Sequence, residues 1–278
     1  MKMVNLVNDL GGSEWLYWTE TLYLTSFPPD PTHRLRKVHG AIKPPELMAE
    51  IISFFTKKGE LVLDPFAGVG GTLLGASLAG RKGFGFELNP KWVRIYQEIQ
   101  ENFLFKDRGF FPRGEGAGKS IEAPLIQGDC LELIKDIDDD SIDAIITDPP
   151  YGCQHRVTGF KDETNFNMFN QREELDFANA PDFDIFLDLI HTFGIEAWRV
   201  LKNKRYLVMI IGDRYIKGEY LPLGIMVANT LQKVGFKFKG LRIWSNKATQ
   251  RPLKPYAVYI SFVPNITHQN ILILRKEA

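Results

Sequence analysis

A chain of 278 residues with 34 basic against 34 acidic side chains has no net charge, and 44% of it is hydrophobic and 24% charged. That balance excludes a disordered or polyelectrolyte protein and suffices for one large α/β domain, or one with a small addition. No run approaches the roughly 18 apolar residues of a membrane span, no basic-then-apolar leader opens the chain, and Cys130 and Cys153 lack metal spacing; a cytoplasmic protein with reduced thiols and no metal is expected.

Residues 1–42 read as irregular, with an aromatic cluster at Trp15, Tyr17, Trp18 and Tyr23 and prolines at 28, 29 and 31. Residues 1–38 are read as an N-terminal extension and 39–278 as the main domain. After His39 and Lys43, Pro44 and Pro45 fit a first helical turn, with Leu47, Ile51, Ile52, Phe54 and Phe55 as its inward stripe. An apolar run then ends at Asp64, and Pro65-Phe66-Ala67-Gly68-Val69-Gly70-Gly71 leads into the apolar-periodic stretch from Leu73 to Ala79. This is strand, tight loop, helix. Glycines at 68, 70 and 71 permit positive φ and let a ligand meet backbone without a Cβ, while the helix N-terminus points free N–H groups at the same place.

A second strand, 81–87, ends in Glu87, where a carboxylate can accept hydrogen bonds from two ribose hydroxyls. A helix over 90–102 follows, with Trp92, Ile95, Tyr96 and Ile99 on one stripe. Residues 106–120 contain Gly114, Gly116, Gly118 and Lys119 but fail as a phosphate loop, because Arg113 stands where the first glycine belongs and no apolar strand leads in; an exposed, mobile loop is expected. Strands at 125–131, bearing Asp129, and at 142–147, delivering Asp148, come next. Two prolines, Pro149 and Pro150, then stop the strand and fix φ, holding Asp148 and nearby carbonyls at its end, with Tyr151 beyond. Residues 152–181 are long for a connection and are expected to close over a substrate. A helix over 183–200, a strand at 206–211, a helix over 221–234 ended by Gly235, and strands at 236–244 and 271–274 complete the pattern. From Tyr220 to Lys276 there is no acid, but there are Lys233, Lys237, Lys239, Arg242, Lys247, Arg251, Lys254, Arg275 and Lys276, which suggests a phosphate-facing surface.

The glycine loop after one strand and Asp148-Pro149-Pro150-Tyr151 after a later one together resemble the S-adenosylmethionine-dependent amino-methyltransferases, specifically the DNA N6-adenine and N4-cytosine group. The resemblance extends from about 39 to 276. It implies a doubly wound, mostly parallel seven-stranded class I methyltransferase (Rossmann-like) sheet with helices on both faces. It implies S-adenosylmethionine as cofactor, held by Lys43 at its methionine end, by Asp64, Phe66, Gly68 and Gly70 around the loop, by Glu87 and, at the adenine amino group, by Asp129. DNA is the implied partner, contacted through Lys247, Arg251 and Lys254, and a homodimer is possible within the family.

Chemically, an exocyclic amine of a base is a poor nucleophile because its lone pair is delocalised into the ring. Asp148 and the carbonyl of Pro149 can accept both amino hydrogens and localise that pair, and Tyr151 offers a flat face to an extruded base. In the resembled family, Asp at the head of the motif implies adenine N6; cytosine N4, an RNA amine, a non-catalytic partner protein and a nicotinamide dehydrogenase are the alternatives. The cofactor motifs precede the catalytic motif, the order of a subgroup with a separate C-terminal target-recognition domain. With no room for one in this sequence, base recognition is expected in the inserts at 152–181 and 245–268; the stretch 106–120 is a further insert.

Overall fold

A computed structural model describes residues 5–107, 109–151, 177–216, 219–249 and 264–278. In chain order these form α1 (Gly12–Trp18), β1 (Leu22–Thr25), α2 (His33–Arg36), α3 (Pro45–Phe55), β2 (Leu61–Asp64), α4 (Gly71–Ala79), β3 (Lys82–Glu87) and α5 (Pro90–Asn102). Then follow β4 (Phe103–Lys106), β5 (Gly109–Pro112), β6 (Lys119–Ser120), β7 (Leu125–Gln127), α6 (Cys130–Leu133) and β8 (Ile142–Thr147). The last part holds α7 (Phe183–Val200), β9 (Leu201–Ile211), β10 (Arg214–Ile216), β11 (Glu219–Leu221), α8 (Leu223–Val234), β12 (Lys237–Asn246) and β13 (Gln269–Arg275).

The main sheet runs β1-β12-β13-β9-β8-β2-β3-β7. Strands β7, β3, β2, β8 and β9 are mutually parallel, and β13 enters antiparallel between β9 and β12. Period-two alternation decides what each strand buries. In β9, Leu207, Met209 and Ile211 join the core under α6, α7 and α8, while Val208 and Ile210 join the core on the other face with α3. In β2, Leu63 and Val62 divide the same way. All of these side chains are fully buried, and each is worth about 1.5–3 kcal/mol relative to exposure. A strand buried on both faces must be apolar throughout, which is why these runs read as continuous rather than alternating. The expected doubly wound sheet with helices on both faces is therefore present.

Several segments depart from the sequence reading: β10 and β11 pair antiparallel where no strand was expected, and the strand expected over 125–131 ends at Gln127, Cys130 and Leu131 belonging to α6. The seven expected strands are joined by an eighth, because β1, within the stretch read as irregular, adds in parallel to β12 with Leu22 opposite Ile243 and Thr25 opposite Asn246. Four residues carry too little periodicity to announce a strand; the unpaired edge of β12 supplies the reason for one, as in the Ile243 N–H bond of 2.7 Å to the Thr21 carbonyl. The stretch 106–120 is exposed at 113–120, as expected, but its described residues are not all loop. With 103–105 they fold into a small antiparallel sheet, β5-β4-β6, which buries Phe103 and Phe110 against α4 and α5. Aromatic residues at paired positions outweigh the glycines around them.

The strand order reverses between β2 and β8. Neighbours on opposite sides of such a point send their connections away in opposite directions and leave a crevice above their carboxyl ends. Asp64 and Asp148 stand at those two ends.

Candidate active site

Each wall of the crevice is set by a short local rule. The loop after β2 needs Gly68 at φ +54° and Gly70 at φ +79°, in the left-handed region that only glycine enters without strain. A Cβ on Gly70 would lie 2.0 Å from the Tyr96 ring, and one on Gly68 would lie 3.2 Å from His39 Nε2. The loop closes on itself through Gly70 N–H to the Ala67 carbonyl at 2.8 Å, and α4 starts directly after it.

Glu87, at the end of β3, accepts from Gly68 N–H at 2.9 Å through one oxygen and from Asn89 N–H at 2.7 Å through the other. The glycine loop and the second-strand acid are thus one unit. Asp129, half-buried after β7, caps α6 by accepting from Leu131 N–H at 2.9 Å. Asp64 is fully enclosed and accepts from Thr147 Oγ1 at 2.6 Å and Phe66 N–H at 3.0 Å. Burial pushes its carboxyl up to about 6 against the pull of those hydrogen bonds, with the charge of Asp148 adding to the rise. The Phe66 ring packs edge-on to Phe177 and Phe193, at 4.9 and 5.4 Å between centroids. His39 lies buried edge-on to Trp92; burial first, then the cations Lys43 and Arg36, lower it to about 4 against a raising backbone hydrogen bond at Ala41, so it is neutral at physiological pH.

Asp148 is engaged on both carboxylate oxygens. Its Oδ2 takes the Lys43 ammonium and its Oδ1 takes the Tyr151 hydroxyl at 2.7 Å. The Tyr151 hydroxyl also accepts from Gln269 Nε2, and the Tyr151 carbonyl accepts from Arg214 Nη1 at 2.7 Å. Burial and then the negative charge of Asp148 raise the Tyr151 phenol well above its ordinary value, so it stays a donor. Gly212 lets β9's end approach the ring, since a Cβ there would sit 3.0 Å from it. Pro149 is buried behind Asp148 and Pro150 half-buried.

The structure therefore brings Lys43, Asp64, Phe66, Gly68, Gly70, Glu87, Asp129, Asp148, Pro149, Pro150 and Tyr151 to the carboxyl edge of one sheet. Thr147, Gln269, Arg36 and Arg214 join them without having been singled out from sequence. Thr147 was readable, as the hydroxyl preceding Asp148; Gln269 was not, because nothing local marks the first residue of the last strand. Of the basic residues expected on phosphates, Lys247 is exposed at the end of β12, while Arg251 and Lys254, like Cys153 and residues 152–176, lie outside the described residues. The acid-free segment is not one uniform basic face. Arg242 is buried between Trp18 and Tyr23, at 4.2 and 4.0 Å, and Lys276 is buried against Asp140 and the Leu201 carbonyl. Among the described residues no His, Cys, Asp and Glu group could hold a metal, and no helix is long and apolar enough to cross a membrane. Cys130 is buried, and burial raises its thiol.

A family model described as DNA methylase, of the N6/N4 amino-methyltransferase type, matches residues 8–98 and 142–278. The chain belongs to this family. The match passes over 99–141, where the small β5-β4-β6 sheet lies. S-adenosylmethionine is the methyl donor of N6/N4 amino-methyltransferases. The residues present fit it: a loop without Cβ atoms at Gly68 and Gly70, a doubly anchored carboxylate suited to hydroxyl donors, and a further acid suited to an amino group. Glu87, Asp129 and the loop would hold it.

Among relatives, a tRNA (guanine(10)-N2)-dimethyltransferase of Methanothermobacter thermautotrophicus is 31% identical over 124 residues, 45% of this chain and 30% of that enzyme. The type II methyltransferase M.MthZI of the same organism is 36% identical over 80 residues, 29% of this chain and 22% of that one. The N6/N4 domain described here thus matches about a third or less of either relative's length. A crystallised S-adenosylmethionine-dependent methyltransferase from Methanosarcina mazei is similar over 79% of this chain and 93% of its own, with 13% identity and a TM-score of 0.46.

Proposed function

We propose that the protein methylates an exocyclic amino group of a nucleic-acid base, with adenine N6 of DNA as the favoured acceptor. The observation that carries this reading is Asp148, a carboxylate fixed by one donor on each oxygen at the strand end that faces the crevice. A carboxylate has about four lone-pair sites, so an oriented Asp148 still accepts an amine N–H. The carbonyl of Pro149 takes the second amine hydrogen, held in place by the rigid ring that follows. With both hydrogens engaged, the nitrogen lone pair is drawn out of conjugation, and acceptors set in advance stabilise the positive charge that grows on nitrogen without reorganising. The bound cofactor supplies an electrophilic methyl on a sulfonium. Tyr151 has two roles: its hydroxyl orients Asp148, and its ring gives an extruded base a stacking surface. Lys247, Arg251 and Lys254 contribute contacts to phosphates.

A second reading, methylation of an RNA amine, is favoured by one finding, the similarity to tRNA guanine-N2 methyltransferases. One experiment separates the two. The protein is incubated with labelled S-adenosylmethionine and either unmethylated DNA or unmodified transfer RNA, and the product is digested to nucleosides. Label in N6-methyldeoxyadenosine supports the first reading; label in N4-methyldeoxycytidine keeps DNA amine methylation but overturns the adenine preference; label only in an amine-methylated ribonucleoside such as N2-methylguanosine supports the second; no labelled nucleoside overturns both.

A further inference from the structure

We propose that Lys43 is a positioning residue for the methyl acceptor, acting through Asp148, rather than a contact of the methyl donor. This rests on the reading of Asp148 as the amine acceptor. The Lys43 ammonium donates to Asp148 Oδ2 and lies 3.4 Å from the Tyr151 hydroxyl, and the two paired side chains are only 8% and 17% exposed.

The lysine backbone is anchored well before its side chain reaches the acid. Its carbonyl accepts from Arg36 Nη1 at 3.1 Å. Arg36, 1% exposed, is itself held by Thr32 Oγ1 at 2.9 Å and by an ion pair to Asp30. The same carbonyl sits 3.3 Å from where a Cβ on Gly71 would project, so residue 43 rests on the start of α4. Pro44 and Pro45 then restrict the chain beyond it. One buried network therefore runs from Asp30 through Arg36 and Lys43 to Asp148, and from there through Tyr151 to Gln269 on the terminal strand.

A carboxylate held by a single donor keeps freedom to rotate; held on both oxygens, its plane is fixed. Lys43 is the second hold. A consequence is that Arg36, within the N-terminal extension, supports the reaction although it touches neither reactant.

The test uses the full chain and the nucleic acid that the wild-type protein labels. Lys43→Met keeps the stem and removes the ammonium; Lys43→Arg keeps a cation; Lys43→Ala leaves space for an added amine. The Met variant is expected to bind S-adenosylmethionine calorimetrically within about threefold of wild type, which also reports folding. Its single-turnover transfer should fall by ~100-fold, as for a misplaced reacting group. Lys43→Arg should recover much of that loss. Ethylammonium should rescue Lys43→Ala saturably, while tetramethylammonium at equal ionic strength should not, a response that a packing role cannot produce. An unchanged transfer rate in Lys43→Met, or lost cofactor affinity with a normal rate at saturating cofactor, would overturn the inference and return Lys43 to the methyl donor. A wild-type protein that labels no nucleic acid would instead overturn the proposed function, and this inference with it.

Discussion

Gly59 and Gly70 share nearly the same positive φ, +80° and +79°, in very different surroundings. A Cβ on Gly59 would meet nothing within 4 Å, whereas one on Gly70 would lie 2.0 Å from Tyr96 Cδ2. Tyr96 cannot yield easily, because it is fully buried and its hydroxyl donates to the Ala123 carbonyl at 2.8 Å. Gly59→Ala should therefore cost only the left-handed strain, about 1–2 kcal/mol. Gly70→Ala adds overpacking of about 1–3 kcal/mol and the loss of a hydrogen bond of about 1 kcal/mol, for a total of about 3–6 kcal/mol. Against a typical stability of about 5–15 kcal/mol this is a large loss. Urea unfolding of both variants gives the comparison, and calorimetry of Gly70→Ala should show weakened S-adenosylmethionine binding. Gly70→Ala and Tyr96→Ala combined should cost less than the sum of the two single losses. Equal losses at 59 and 70, or no coupling between 70 and 96, would show that the glycine loop does not depend on this contact.

Asp64 and His39 give opposed pH dependences. The raised Asp64 contributes stability that is fully present below its unfolded value of 3.8 and lost as pH rises to about 6; the depressed His39 contributes stability present above 6.5 and lost as pH falls through about 4. Each shift is worth about 3 kcal/mol, so the two nearly offset in the wild type. Asp64→Asn should lose stability as pH falls from 6.5 to 4, and His39→Gln as pH rises from 4 to 6, both read from urea midpoints; parallel profiles would contradict the assignment. Glu87→Ala should weaken S-adenosylmethionine binding tenfold or more, about 1.5–3 kcal/mol for lost charged hydrogen bonds, and Glu87→Gln less, because it keeps an acceptor for Gly68 N–H. Unchanged calorimetric affinity in Glu87→Ala would remove that residue from the site.

What the sequence made legible is what local rules determine. Apolar runs ending in Asp64 and Asp148, and the alternating Gly-Phe stretch ending in Glu87, announced parallel strands, and the glycines at 68 and 70 announced a loop that only backbone could line. Strands β1, β4 to β6, β10 and β11 were missed because each is four residues or fewer and, unlike the equally short β2 and β7, lies outside the parallel run that the glycine loop and strand-end acids mark. Side-chain direction was missed for a related reason. Lys43 could be placed beside the glycine loop but not aimed, and its aim toward Asp148 depends on Arg36 and Gly71, contacts that no spacing reveals. Arg242 and Lys276 read as surface charge, yet aromatic rings and carbonyls enclose them.

The account turns on Asp148 as the acceptor of the amine, and single-turnover methyl transfer by Asp148→Ala, alongside its cofactor affinity, tests that most directly. Cofactor affinity should stay within a few fold, while the transfer rate should fall by about two to three orders of magnitude, the loss of a preorganised contact worth about 2.7–4 kcal/mol. Near-normal transfer by Asp148→Ala would contradict the account.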